Sequence, residues 1–126
     1  MTPAEFRSLR EGLGLSERDV SMLTMAKEAQ IRAWEQGLEE VPTAEGGLLM
    51  DLEREVERRL NGALERARDR DAVTLKLFKN ALDFKKGGPD MSPIPAMLAF
   101  RCHSALIGRL YEVLRREGRN VTVIYC

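Results

Sequence analysis

Apolar residues along the first part of the chain recur at helical spacing in short bursts, each introduced by a polar cap. Phe6, Leu9 and Leu13 share one helical face. Thr2-Pro3-Ala4-Glu5 supplies their start, with Thr2 as N-cap, Pro3 at the first helical position and Glu5 placed to reach back as a capping-box carboxylate. Gly12 and Gly14 loosen the helix end. Ser16 and Asp19 repeat the capping device, and Val20, Leu23 and Met22 then predict the inward face of a short second helix. Ile31 and Trp34 mark a third, which stops at Gly37, a natural left-handed C-cap.

A different pattern begins at Val41-Pro42-Thr43, where Thr43 reads as an N-cap. Leu48, Leu49, Leu52, Val56, Leu60 and Leu64 keep helical period to about Arg70. The segment is either one long helix or two with a break near Asn61-Gly62. Its opposite face, with Glu53, Arg54, Glu57, Arg58, Glu65 and Arg66, reads as a solvated surface. Val73–Phe78 is β-prone and partly alternating, which predicts a strand. Lys85–Asp90 is polar and glycine-containing and reads as a loop. Pro93 and Pro95 bracket the start of a helix from about Ala96 to Glu117, with Leu98, Cys102, Leu106, Leu110 and Leu114 inward and Gly118 ending it. Val121–Tyr125 is a final strand, apolar at nearly every position, which calls for cover on both faces. The predicted fold class is mostly α, with a helical domain over residues 1–70 and a small α+β domain over 71–126 made of one helix and two short strands. That second domain has little core of its own, and pairing with a second copy would supply what is missing.

Composition narrows the class. A chain of 126 residues that is 44% hydrophobic and 32% charged is that of a folded, soluble, helix-rich protein. It has no apolar run of membrane-span length, and its amphipathic, acid-containing N-terminus does not read as a secretory signal. The expected address is cytoplasmic, with no membrane partner. Cys102 and Cys126 form no disulfide framework and no metal cluster; Cys102 reads as a small core residue and Cys126 as an exposed thiol. His103 is the single histidine, and its adjacency to Ser104 does not make a catalytic pair, so a structural or solvent-facing role is expected. No cofactor is implied. Gly12-Leu13-Gly14 and Gly87-Gly88 lack the strand–loop–helix setting of a phosphate loop, which argues against an enzyme. The net charge is zero, and residues 1–42 hold five basic against eight acidic side chains. Any contact with nucleic acid must therefore come from a local patch and not from a global field.

The 23 residues from Leu15 to Gly37, LSERDVSMLTMAKEAQIRAWEQG, carry the most specific pattern. They resemble the Cro/repressor (XRE-type) helix-turn-helix family without insertion or deletion. The shared features are the Leu-Ser cap, the short aliphatic helix and the ending Ile31-x-x-Trp34-Glu35-x-Gly37, with Pro42 where the family often has proline. The resemblance implies a five-helix domain in which Ile31 and Trp34 anchor a recognition helix whose other face enters the major groove. One departure is Met25, which stands where the family usually has glycine, so the backbone there must avoid positive φ or accept strain. By position, the DNA-facing candidates are Ser16, Arg18, Lys27, Glu28, Ala29, Gln30, Arg32 and Ala33. Gln30 has the geometry for adenine, Arg32 for guanine or a phosphate, and Ala29 and Ala33 for thymine methyls. Glu28 repels phosphate unless it accepts from a cytosine amino group or sits against an arginine.

Over most of its length the chain also resembles the anti-CRISPR-associated repressors of the YdiL-like group. The helix-turn-helix, the Val-Pro helix start, the basic strand Leu75–Asn80 and Phe100-Arg101-x-x-Ser104 occur in order. That resemblance implies a phage or prokaryotic homodimeric repressor that binds an inverted repeat, regulates its own operon and dimerises through its C-terminal half. Leu75, Leu77, Leu106, Leu110, Val121, Val123, Ile124 and Tyr125 are the candidate dimer contacts. Binding of the operon's own messenger RNA is a further implication. The alternative is an antitoxin-type protein whose C-terminal half grips a toxin partner through the exposed edge of its last strand.

Overall fold

Thr2 opens the first helix, α1 (Pro3–Gly12): its hydroxyl accepts from the Glu5 N–H, and the Glu5 carboxylate accepts from the Thr2 N–H. The same reciprocal cap, between Ser16 and Asp19, opens α2 (Glu17–Thr24). In the computed structural model, which describes residues Met1–Cys126, the order continues α3 (Glu28–Gln36), α4 (Thr43–Arg68), β1 (Ala72–Leu77), α5 (Ala81–Gly87), α6 (Ala96–Arg116) and β2 (Asn120–Tyr125). The fold is thus mostly helical, with a small sheet. No helix is long and apolar enough to cross a membrane.

The chain forms two compact units, Met1–Glu55 and Val56–Cys126, so the division falls inside α4 and not after it. The first unit is built on Phe6, Leu13, Leu15, Val20, Ile31, Trp34, Leu49 and Leu52, all buried. Phe6 meets the Trp34 ring edge-on, with centroids 5.8 Å apart, which fastens α1 to α3. Met22 and Leu48, expected inward, are instead 41% and 42% exposed. Each lies beside a residue that takes the buried position, Leu49 next to Leu48 and Val20 half a turn from Met22. Unit 1 contains α1, α2, α3 and the first part of α4, so five separate helices do not form. Asn61-Gly62 makes no break, because a single glycine within a long helix costs only about 1 kcal/mol and the flanking leucines Leu60 and Leu64 are buried. Thr43 is the first residue of α4 and not its cap; the first helical bond runs from the Gly46 N–H to the Pro42 carbonyl.

In the second unit, β1 and β2 lie parallel, Ala72 opposite Asn120 and Leu77 opposite Tyr125. The pairing is completed by the Cys126 N–H donating to the Leu77 carbonyl at 2.8 Å. Helix α6 packs on both strands and buries Leu98, Cys102, Leu106, Leu110 and Leu114 along one stripe, as their spacing predicts. Only one face of the sheet is covered. Val73 and Leu75 are buried on it, Val121 and Val123 are half-buried, and Ile124 and Tyr125 stay exposed, contrary to the expectation of cover on both faces. The segment from Lys85 to Gly87, read as loop, belongs to α5, so this half of the chain holds two helices and not one. Asn80 caps α5 by accepting from the Asp83 N–H, and Phe84 anchors it in a cluster with Phe78, Phe100 and His103. His103 is buried there, and the Ser104 hydroxyl donates to the Phe100 carbonyl; the two adjacent side chains do not act together.

Candidate nucleic-acid interface

Residues 25–27 connect α2 to α3, and the hydrogen bonds around them are unusually complete. Met25 takes φ 65° and ψ 9°, the left-handed conformation that glycine adopts without cost. A methionine there accepts strain on the order of 1–2 kcal/mol. Its side chain, 89% exposed, contributes almost no packing in return. Compensation comes from the neighbours. The Met25 N–H donates to the Ser21 carbonyl, and the Ser21 hydroxyl donates to the Ala26 carbonyl. Thr24 is buried, donates its hydroxyl to the Val20 carbonyl and accepts the Ala26 N–H. Two hydroxyls thus hold a turn that a glycine would otherwise make.

Helix α3 starts without a side-chain acceptor, because its N-cap is Lys27. Gln30 supplies half of a cap by accepting the Lys27 N–H at 3.0 Å. Its amide oxygen is therefore engaged within the chain, and its NH₂ group is the part left to meet a base edge. At the other end Gly37, at φ 76°, receives the left-handed C-cap that its position predicts.

Position and tilt of α3 are fixed from behind by an ion pair that the sequence pattern does not announce. Arg10 of α1 donates from Nε and Nη2 to the two carboxylate oxygens of Glu35, at 2.7 and 2.8 Å, and from Nη1 to the Leu15 carbonyl. Both side chains are largely buried, and the fork raises the Arg10 pKa above its ordinary value. Glu35 of the Trp-Glu-x-Gly ending is thus a clamp. The signal in the sequence is Arg10 itself, one turn after Phe6 and just before Leu13 on the buried face, where a cation requires a partner.

With Ile31 and Trp34 buried and Glu35 clamped, the side of α3 facing solvent carries Glu28, Ala29, Gln30 and Arg32; Lys27 is exposed at its start and Ala33 half-buried. Ser16 and Arg18 are exposed at the start of α2, although the Ser16 hydroxyl already serves as the cap. The cation best placed on the helix is not isolated. Arg32 Nη1 lies 3.8 Å from Glu17 and 4.0 Å from Glu28, so the face presents Arg18, Lys27 and Arg32 against two carboxylates. Glu28 therefore does sit against an arginine, one of the two arrangements that make it tolerable near phosphate.

The residues expected at a dimer contact divide differently. Leu75, Leu106 and Leu110 are buried in the core of their own unit, and Leu77, Val121 and Val123 are half-buried at the sheet. Only Ile124 and Tyr125 are well exposed, with Lys79 placing its ammonium 5.4 Å from the Tyr125 ring centroid. No protein-family model matches this sequence, and no curated protein matches it.

Proposed function

We propose that the chain is a sequence-specific DNA-binding regulator of the Cro/repressor helix-turn-helix type, acting as a homodimeric repressor on an inverted repeat. The observation that carries this reading is the α2–turn–α3 unit. Its second helix, α3, is pinned on one side by Ile31, Trp34 and the Arg10–Glu35 fork, while Glu28, Ala29, Gln30 and Arg32 are exposed. A helix so held can enter the major groove as a rigid reading edge. Arg32 serves as the guanine or phosphate contact and Gln30 as a donor to a base. Regulation of the protein's own operon, of the anti-CRISPR-associated kind, is the narrower form of the proposal. Two symmetric copies would read half-sites about one helical turn, roughly 10 base pairs, apart.

Selection from a pool of random duplexes at near-physiological salt tests this directly. An inverted repeat should emerge, bound at least about a thousandfold more tightly than a scrambled duplex. Arg32→Ala should abolish that preference. Glu17→Gln with Glu28→Gln should strengthen binding to every duplex by removing carboxylates that repel phosphate. Recovery of no sequence, or undiminished selectivity in Arg32→Ala, would overturn the reading.

A second reading rests on the open sheet. Ile124 and Tyr125 are apolar and exposed at the end of β2, on a two-stranded sheet whose outer edges are unpaired. In an antitoxin-type protein this end of the second unit would take a toxin partner by strand addition. Stable co-purification with the product of an adjacent gene supports that reading; a dimer of this chain alone counts against it.

A further inference from the structure

In the second unit a groove of about 360 Å³ opens between two helix faces, within the size range of small-ligand sites. Arg58, Arg59, Gly62 and Arg66 line it from one face of α4. Leu106, Ile107 and Leu110 line it from α6, one helical stripe with His103 at its start. Three features of this groove belong together. Its ionisable lining is three guanidiniums and one imidazole, with no carboxylate among the lining residues. Arg66 Nη1 lies 3.5 Å from where a Cβ on Gly62 would stand, so the missing side chain leaves room beside a cation. The third is His103, 93% buried, whose Nδ1 is sealed from water with no hydrogen-bond partner. Such a buried polar atom is normally satisfied, by protein or by something bound.

Arg59 has a separate task. It donates to the Asp90 and Ser92 carbonyls and so ties the connection before α6 to one end of the groove. The edge of the otherwise buried α6 stripe that lines the groove, and the guanidinium of Arg66, remain to meet a ligand.

We propose that this groove binds a small amphiphilic monocarboxylate, its apolar body against Leu106, Ile107 and Leu110 and its carboxylate at Arg66. A guanidinium offers two parallel N–H donors that match a planar carboxylate, so Arg66, exposed at the groove's mouth, can hold the head group while the apolar body lies against α6. The site is independent of DNA recognition and stands or falls separately from it.

Calorimetric titration of the full chain with decanoate, decanol and inorganic phosphate tests the proposal, with thermal unfolding alongside. Decanoate, below its aggregation concentration, should bind at one per chain and raise the unfolding temperature. Decanol lacks the charge and phosphate lacks the apolar body, and each should bind at least tenfold more weakly. Gly62→Leu fills the groove from a helical position where leucine is the better helix former, and should weaken decanoate at least tenfold without loss of fold. Arg66→Gln, at an exposed position, should bring decanoate down to the affinity of decanol. The proposal is overturned if decanoate binds no more tightly than decanol, if binding does not saturate at one per chain, or if Gly62→Leu binds decanoate as the parent does.

Discussion

The N-terminal and C-terminal units reach a folded core by different routes. In residues 1–55 each short helix begins on a cap made within four residues, at Thr2, at Ser16 and, by half, at Lys27 with Gln30. The long-range ties that remain are few and specific, Phe6 on Trp34 and Arg10 on Glu35. In residues 56–126 the governing contacts are distant in sequence. β1 pairs with β2 across two intervening helices, and Phe78, Phe84, Phe100 and His103 converge from β1's end, α5 and α6. The lesson is that local signals define elements, while the arrangement of the second unit is decided by which apolar faces find each other.

The comparison can be broken most forcefully at Phe6. Phe6→Ala should cost the first unit about 3–5 kcal/mol, as for a fully buried aromatic. Urea unfolding followed by the fluorescence of Trp34, the single tryptophan, reads that unit alone. A loss below about 1 kcal/mol would mean that the Phe6–Trp34 pair does not organise it.

A matching test for the second unit is Gly88→Ala. A Cβ there would stand 2.5 Å from the Phe84 carbonyl oxygen and 2.6 Å from its ring, at a φ that any residue can adopt. The close approach itself requires glycine. Overpacking should cost about 1–3 kcal/mol, read as faster amide exchange along α6. Gly108→Ala, in the same helix with nothing within 4 Å, should instead stabilise by up to about 1 kcal/mol. Equal effects from both alanines would remove the packing argument.

Smaller in size is Met25→Gly, which relieves the left-handed strain in the α2–α3 turn. It should stabilise the first unit by about 1 kcal/mol, partly offset by the freedom glycine gives the unfolded chain. A raised midpoint in the same fluorescence titration is the expected sign; a lowered one would mean that the exposed methionine contributes packing after all.

The smallest effect concerns pH. Burial among Phe78, Phe84 and Phe100 lowers the His103 pKa below the ordinary histidine value, and Arg58, Arg59 and Arg66 line the same groove. The unfolded chain therefore takes up a proton before the folded one does. The contribution to stability is complete above the unfolded pKa, and it falls as pH drops from there toward the folded value. Unfolding temperatures from pH 8 to pH 5 should decline less steeply in His103→Gln than in the parent.

What the sequence discloses follows the same division. Caps at Thr2 and Ser16, the stop at Gly37 and the buried stripe of α6 are legible because each depends on residues within a few turns. The dilemma at Met25 is legible too, although its resolution by Ser21 and Thr24 is not, since serine and threonine read equally as surface residues. Arg10 with Glu35 joins positions 25 apart, and only the placement of a cation on a buried face hints at it. α5 escapes notice because two lysines and two glycines obscure one anchoring phenylalanine. On the candidate DNA face the residue identities are legible, but not the engagement of Gln30 or the two carboxylates around Arg32. The groove is least legible of all, since Gly62 and Arg66 acquire meaning only once α6 lies beside them.

Parallel pairing in the second unit also sets a timetable during synthesis. Ala72 leaves the ribosome before Asn120, its partner, and at roughly 5–20 residues per second the interval is about 2–10 s. Until α6 emerges in the second half of it Val73 and Leu75 have no helix to cover them, and throughout it they lack the partner strand. Lys76 within the strand and Lys79 just after it follow these apolar positions, the placement of charge that disfavours pairing of a waiting strand with a neighbouring chain. The first unit, whose contacts close within 55 residues, carries no such delay.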